Sequence, residues 1–378
     1  MIDDYIRLGL RLGRHVDGLV DSYYGPPELL RCVDAEPLRD PVELVQDAEG
    51  ILAETDDQWL TAQVVGLEAV GRKLAGEEIP YLEEVERCYG TRPELVPETV
   101  FEQAHAELDE VLPGVGSLAE RYQAWREANP LPPEVLEPAM KSIAQDVRER
   151  TRDLYGLPEG EDAQLDFVTD EPWSAYNYYL GGLRSRVAVN LDVPMVPSFI
   201  TELMTHELYP GHHTEHAWKE QLHVREAGRI EESILLIGTP QSLIAEGIAR
   251  LASEMLVDDE DELTAHHLIP LGIDYDAESA AQIRRAKAPL DFVAGTNAAI
   301  LLHDRGLPED EVRAYLQQWR LMSDSLVDQS MRFISDPMWR AYVPTYSEGY
   351  RVCGAWVGGD RERFKRLLTE QLTPADLA

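Results

Sequence analysis

Apolar residues recur every three or four positions along most of the chain, with polar residues between them, and this spacing predicts helices. Stretches rich in proline and glycine interrupt the pattern and mark where one helix ends and the next begins. In the first 155 residues, the predicted helices are an initial segment that ends before Gly25, followed by residues 41–54, 58–75, 98–111, 117–128 and 134–155.

One stretch follows a different period. Residues 175–180 and 183–191 are rich in tyrosine and valine, and a Gly-Gly pair separates them, which predicts a β-hairpin. From Ser198 the helical spacing resumes and continues to the end of the chain. We therefore expect a mostly α fold with one small sheet, which lies immediately before the segment richest in histidine.

The composition changes at residues 156–160, a Gly-Leu-Pro-Glu-Gly segment typical of a boundary between structural units. We expect an N-terminal helical region over residues 1–155 and a catalytic region over residues 156–378. The cleft should lie between these two regions.

The chain of 378 residues is 44% apolar, which is enough for a core, and its net charge is -36. Such a field repels phosphate groups, so we expect neither a nucleic-acid partner nor attachment to an acidic membrane surface. The sequence contains no apolar run long enough to span a bilayer, and it begins with Met-Ile-Asp-Asp rather than a basic leader. Its three cysteines are widely spaced. These features indicate a soluble cytoplasmic protein.

Five of the ten histidines lie between positions 206 and 223, most of them in the segment THELYPGHHTEH that starts at Thr205. His206 and Glu207 follow Phe199 and Ile200 by about two helical turns, so they continue the apolar stripe of the same helix. A buried imidazole and a buried carboxylate each need a partner. A metal ion would satisfy the imidazole and give the carboxylate a water molecule to act on.

The spacing departs from the HExxH motif, in which two histidines one turn apart bind zinc and the glutamate acts as general base. Positions 210 and 211 are proline and glycine, so the helix can bulge or restart there. A widened turn would bring His212 to His206, whereas a straight helix would align His213 with His206. We expect His212 to be the second ligand, with His213 as the competing ligand or as a support behind the site.

A zinc site that keeps one position open needs a third protein ligand. The candidate is Glu246, which lies among apolar residues of a predicted helix that begins at Thr239 and Pro240. An unpaired carboxylate would be costly there. Gly247 beside it would let another helix approach closely. The alternative interpretation of Glu246 is a buried acid paired with an arginine such as Arg250.

The motif HExxPGHH at residues 206–213, followed by Glu246-Gly247 in a helix, resembles the domain-of-unknown-function 885 family of predicted metallopeptidases. The resemblance covers residues 170 to 360 and extends to helical gluzincins such as carboxypeptidase Taq, thimet oligopeptidase and angiotensin-converting enzyme. It implies a His-His-Glu zinc site in which His212 is the second histidine. It also implies a strand pair rich in tyrosine before the metal helix, which the hairpin ending at Asn190 would match.

The same resemblance implies that a tyrosine near the C-terminus helps to bind the tetrahedral intermediate. Tyr350 matches this position in the segment YRVCG, which has one residue more than the family's Tyr-Lys-Ile-Gly. A second departure is Ile248, which stands where the family has tryptophan. Tyr346, one turn before Tyr350, is a candidate for substrate binding.

These observations predict a zinc-dependent hydrolase with one Zn²⁺ per chain, and a peptidase of carboxypeptidase or oligopeptidase type is the expected activity. Glu207 would act as general base on a metal-activated water, and Tyr350 would donate a hydrogen bond to the developing oxyanion. The alternatives are a non-catalytic, metal-stabilised binding or scaffold protein and a metal-dependent hydrolase of a non-peptide amide.

The expected substrate is a peptide or a small amide. An extended peptide would add to the edge of the hairpin as a further strand, leaving Arg184 or Arg186 to meet its C-terminal carboxylate. Asn190 and Tyr346 complete the predicted set of substrate-binding residues.

Overall fold

The computed structural model describes residues 1–170, 175–193 and 195–378, and it confirms the mostly helical class. Over these residues, no helix is both long and apolar enough to cross a membrane. In chain order the strands are β1 (Val20–Tyr23), β2 (Asp162–Val168), β3 (Ala175–Tyr179), β4 (Arg184–Asn190) and β5 (Ile234–Leu236). The helices are α1 (Ile2–Gly13), α2 (Pro27–Ala35), α3 (Pro41–Glu54), α4 (Gln58–Leu74), α5 (Tyr81–Tyr89), α6 (Glu98–Val111), α7 (Leu118–Ala128), α8 (Pro133–Tyr155), α9 (Ile200–Glu207), α10 (His212–Lys219), α11 (Pro240–Leu256), α12 (Glu260–Leu268), α13 (Ala277–His303), α14 (Glu309–Arg320), α15 (Asp324–Ser335), α16 (Thr345–Val357) and α17 (Arg361–Thr369).

The predicted helical runs after the first segment form α3, α4, α6, α7 and α8, with ends within one residue of the prediction. Polar side chains satisfy backbone N–H groups at several of their starts: Asp40 caps α3, Asp57 caps α4, and Ser117 with Glu120 forms a capping box on α7. The prediction missed α2 and α5. Both are short and follow prolines, where the apolar spacing covers little more than two turns.

The initial segment is not one helix that runs to Gly25, as predicted. Instead α1 ends at Gly13, the chain turns at Gly18 with a positive φ of 78°, and β1 follows. Gly13 permits this return, because a Cβ there would lie 2.6 Å from Cγ2 of Val20. β1 pairs antiparallel with β5, a strand more than 200 residues away in sequence, so the local pattern could not reveal it.

The predicted hairpin is present as β3 and β4, which pair antiparallel from Ala175 opposite Val189 to Tyr179 opposite Ser185. Gly181 and Gly182 form the turn with positive φ values of 68° and 70°, which glycine adopts at no steric cost. The prediction missed β2, which pairs parallel with β4 in the order β2-β4-β3. The described residues therefore hold two small sheets where we expected one.

Two large apolar cores hold most of these elements together, and a smaller third core packs α6 and α7 against α13 and α14. The first core joins α1, α3, α4 and α5 to residues of β5, α13, α14 and α15. The second joins α8 and β4 to α9, α11, α12, α16 and α17. The helices that carry the predicted metal ligands thus pack in one core with the hairpin. The division of the chain at residue 155 stays a prediction.

Helices α11 and α16 approach each other through two glycines, as the position of Gly247 beside Glu246 indicated. A Cβ on Gly247 would lie 2.5 Å from Sγ of Cys353 and 2.5 Å from the carbonyl oxygen of Gly349. A Cβ on Gly349 would lie 2.6 Å from the carbonyl oxygen of Leu243. Real Cβ atoms do not come this close to backbone, so both positions need glycine and the two helices are in backbone contact.

We expect Gly247→Ala to lower the free energy of unfolding by about 1–3 kcal/mol, because the added methyl group overpacks a backbone contact. Urea unfolding followed by circular dichroism, in the presence of EDTA, measures the change.

Gly354→Ala on α16 is the matched control. Its Cβ would meet only Cδ2 of Leu251 at 3.5 Å, an ordinary contact, and alanine favours the helix by up to about 1 kcal/mol. Equal stability of the two variants would contradict the tight α11–α16 contact.

Candidate metal centre

The helix that carries His206 and Glu207 stops and restarts, as the Pro-Gly pair predicted. α9 ends at Glu207, the Tyr209–Pro210 peptide is cis, and α10 begins at His212. The backbone N–H of Gly211 donates to the carbonyl oxygen of Thr205 at 2.9 Å, which folds the start of α10 back onto the end of α9.

Glycine is required at position 211 for reasons of space. An added Cβ would lie 1.9 Å from the carbonyl oxygen of His206 and 2.4 Å from that of Thr205. The backbone of Gly211 therefore packs directly on the last turn of α9. This contact sets the separation between the first histidine, at the end of one helix, and the second, at the start of the next.

The structure brings His206, His212 and Glu246 together. Their donor atoms all lie within 4.8 Å of one another, and Nε2 of His206 is 3.7 Å from Oε2 of Glu246. The two imidazole rings are nearly perpendicular, with centroids 4.8 Å apart. Glu246 reaches this point from the middle of α11, so three separate helices supply the three side chains.

The two oxygens of Glu246 differ in their surroundings. Oε1 accepts a hydrogen bond of 2.6 Å from the hydroxyl of Tyr342, whereas Oε2 is buried and has no hydrogen-bond partner among the described residues. Arg250, the partner that the alternative interpretation required, instead forms an ion pair with Glu202 and stacks on the ring of Phe292. A buried carboxylate oxygen without a partner is costly, so Oε2 needs a cation or a proton.

Burial places the titratable groups of the site in unusual states. It lowers the pKa of His212 to about 4 and that of His206 well below the ordinary value, so both imidazoles are neutral at pH 7. Burial raises the pKa of Glu207 to about 8, with further contributions from the charges of Glu246 and Asp21, and it raises the pKa of Glu246 to about 7. Neutral imidazoles are the form that binds metals, and a divalent cation would favour ionisation of both acids.

These residues fit a zinc ion. Two neutral imidazoles and one carboxylate are a donor set of catalytic zinc sites. Tetrahedral geometry with bonds of about 2.1 Å places ligand atoms about 3.4 Å apart, close to the 3.7 Å between His206 and Glu246. Oε2 of Glu246, which lacks a partner and faces His206, is the atom that an ion would satisfy.

His213 lies elsewhere. It is fully buried, with Nδ1 2.8 Å from Oγ of Ser185 and Nε2 3.0 Å from Oε2 of Glu161. Burial alone would raise the pKa of Glu161, but hydrogen bonds from His213, Tyr209 and Arg148 outweigh it and lower the pKa to about 2. Both ring nitrogens of His213 therefore have partners, and the one with Ser185 links α10 to β4. His213 is not grouped with the candidate ligands.

The tyrosines of α16 occupy different environments. The hydroxyl of Tyr350, the predicted oxyanion donor, donates to Oε1 of Glu254 at 2.8 Å, and this side chain is 40% exposed. Glu254 lies two turns beyond Glu246 on α11. Tyr346 instead packs against Tyr342 with ring centroids 5.6 Å apart, and burial followed by the charge of Glu246 raises its pKa. The structure therefore places Tyr346, rather than Tyr350, beside the acids of the site.

The predicted substrate-binding residues of the hairpin lie outside the three-residue cluster. Arg184 is exposed, while Arg186 lies over the ring of Tyr178 at 4.6 Å and 3.8 Å from Asp166. Asn190 is buried, and its Oδ1 accepts from the backbone N–H of Asp192. These contacts of Arg186 and Asn190 are within the sheet and its flanking loop.

Sequence reasoning missed three residues of the site. Tyr342 precedes α16 in a segment without a recognisable motif, and Asp21 belongs to the strand that we predicted as helix. Asn177, on β3, donates from Nδ2 to the backbone carbonyl of Glu207 at 2.6 Å. The tyrosine-rich strand pattern identified β3 but could not show that Asn177 holds the end of α9.

No protein-family model matches the chain, and no curated protein matches it. Among solved structures, it is similar to a predicted lipoprotein from Colwellia psychrerythraea, with a TM-score of 0.54, 16% identity and 88% of this chain covered. It is also similar to a predicted lipoprotein of unknown function from Shewanella oneidensis, with a TM-score of 0.53, 10% identity and 92% of this chain covered. The aligned part spans 65% and 75% of those chains, respectively. At these identities the likeness concerns the fold.

We expect His212→Ala to weaken zinc binding by several orders of magnitude, because it removes a donor atom, and His213→Ala to weaken it by about 10–100-fold, because it only loosens α10. Competition with a fluorescent zinc chelator measures both affinities. A greater loss in His213→Ala than in His212→Ala would reverse the assignment of the second ligand.

Proposed function

We propose that this protein is a zinc-dependent hydrolase and that it acts as a peptidase on short peptides. The observation that carries the proposal is the buried, unpartnered Oε2 of Glu246, which faces His206 in a cluster with His212. Glu207 lies next in sequence to the first ligand and is only 8% exposed, yet it is not one of the grouped donors. An acid in that position is what general-base catalysis requires.

A zinc ion held by His206, His212 and Glu246 would polarise the scissile carbonyl and lower the pKa of water near it. Glu207 would accept the proton of the attacking water on its carboxylate and pass it to the nitrogen of the leaving amine. Burial holds its pKa above that of an ordinary carboxyl, which brings the group closer to the working pH. Asn177 fixes the backbone of Glu207 and thereby the position of this base.

We assign the hydrogen bond to the developing negative charge on the carbonyl oxygen to Tyr346. Its half-buried side chain lies in the field of both Glu246 and Glu207 and is hydrogen-bonded to Tyr342, whereas the hydroxyl of Tyr350 is engaged by Glu254. Tyr342 has a supporting role, because its bond to Oε1 orients Glu246 so that Oε2 faces His206.

An extended peptide would bind along β3, an edge strand of its sheet, by adding a strand to that edge. β3 is suited to this task because it also contacts the end of α9 through Asn177. A peptide on this edge would therefore run past the proposed base.

Two alternative functions remain distinct from this proposal. A metal-stabilised scaffold would need closed ligation and no buried base, so the position of Glu207 favours the enzyme. A hydrolase of non-peptide amides would use the same residues, and a substrate library that contains both peptides and simple amides separates the two activities.

We also propose a cytoplasmic location without nucleic-acid or membrane partners. The net charge of -36 and three unpaired cysteines support it. The two structural neighbours are described as predicted lipoproteins, and at 16% and 10% identity this description concerns those proteins only. Cell fractionation of the native protein tests the proposed location.

We expect about one zinc per chain by elemental analysis of the purified protein, and loss of zinc in His206→Ala and in Glu246→Ala. The matched control is Glu254→Ala, which removes an exposed acid from the same helix and should retain zinc. Full occupancy in Glu246→Ala would remove Glu246 from the ligand set.

We expect Glu207→Gln to retain zinc and to lose peptide hydrolysis by at least about 100-fold, because the amide preserves shape but cannot accept a proton. Wild type and variant are compared on one peptide and amide library, with zinc content measured on the same samples. Inactivity of the zinc-loaded wild type on the whole library would favour the scaffold function.

A further inference from the structure

Asp21 lies at an irregular point of the small sheet formed by β1 and β5. The register shifts between Val20 and Ser22, so Asp21 has no direct partner on β5. Its carboxylate accepts a hydrogen bond from the hydroxyl of Tyr176 on β3. Among the described residues no lysine or arginine forms an ion pair with Asp21. Burial raises the pKa of this carboxyl. Asp21 is thus a recessed acid without a counter-charge.

This acid is close to the proposed active site. Tyr176 donates a hydrogen bond to Asp21, and the next residue, Asn177, donates from Nδ2 to the backbone carbonyl oxygen of Glu207 at 2.6 Å. The charge of Asp21 also raises the pKa of both Glu207 and Glu246. It nevertheless stays outside the group of donor atoms within 4.8 Å of one another, so it is not one of the candidate ligands.

The described residues supply no positive charge to Asp21. The neighbouring cations are already paired, Arg250 with Glu202 and Lys219 with Glu215. A cation beside Asp21 would therefore come from outside the protein, and a bound substrate is a source of it.

We propose that Asp21 binds a primary ammonium group of the substrate, so that the enzyme acts on peptides with a free amino terminus. This inference rests on the hydrolase function proposed above. An ammonium group has three donors and forms short, charge-assisted hydrogen bonds with a carboxylate. Tyr176 positions Asp21 for this contact, and β3 carries both the acid's partner and the edge along which the peptide would bind.

The test compares two peptides that differ only in acetylation of the amino terminus. We expect the zinc-loaded wild type to cleave the free peptide with a kcat/KM about 10- to 100-fold above that of the acetylated peptide, mainly through KM. In Asp21→Asn this ratio should fall towards one, because the amide still accepts from Tyr176 but carries no charge. Tyr176→Phe is the matched control, since it removes the hydrogen bond and keeps the charge, and it should retain most of the preference.

A third peptide, acetylated but carrying an internal lysine, separates the two sources of an ammonium group. Cleavage of this peptide as fast as the free one would show that Asp21 recognises a side chain and would overturn the amino-terminal assignment. Equal cleavage of free and acetylated peptides by the wild type would overturn the role of Asp21 while leaving the hydrolase intact.

Absence of cleavage would count against the hydrolase function only. In that case a binding measurement still tests the role of Asp21. Calorimetric titration of zinc-loaded Glu207→Gln with the same peptides should show tighter binding of the free peptide, and the double variant Glu207→Gln, Asp21→Asn should lose this difference. Equal affinity of Glu207→Gln for the two peptides would overturn the proposal. If Asp21 had a purely structural role, Asp21→Asn would weaken the binding of both peptides by the same factor.

Discussion

Gly211 packs its backbone against the carbonyl oxygens of Thr205 and His206, and this contact decides how α9 and α10 meet. A continuous helix would place His206 and His213 on one face, about 10 Å apart along the axis. The break turns α10 back, so that His212 comes to His206 and His213 points into the Glu161 contact. The approach of His212 to His206 and the contact of His213 with Glu161 therefore both depend on the backbone packing of Gly211.

The second constraint is the backbone contact between α11 and α16 at Gly247 and Gly349. It brings the segment around α16 close enough for the Tyr342 hydroxyl to fix one oxygen of Glu246 and leave the other facing His206. An acid held in this way is unfavourable in an apolar core without a cation. The strongest argument for a metal is therefore the energetic cost of this arrangement, since no polar partner or arginine in the described part of the chain satisfies Oε2.

The sequence predicted which three side chains would come together, but it predicted only two of the five strands among the described residues. His206, His212 and Glu246 could be found because a histidine pair, a Pro-Gly break and an acid in an apolar helix are all local signals. β1, β2 and β5 could not be found, because their pairing depends on residues distant in the chain and strands of three to seven residues leave little periodicity. The sequence could not distinguish Tyr350 from Tyr346 for a related reason: residues four apart share a helix face, and only packing decides which of them is the less exposed.

The large negative charge of the chain acts on two length scales. Over the surface it draws cations toward the protein, but salt screens this attraction beyond about 8–10 Å at physiological ionic strength. Inside the site the screening is weak. The charge of Asp21 therefore raises the pKa of both Glu207 and Glu246, and the charge of Glu246 raises that of Glu207. An acidic surface would therefore attract cationic ligands, whereas the acids of the site would select the two that we propose: a divalent ion between the histidines and an ammonium group beside Asp21. Both would stabilise charges that the fold has already enclosed.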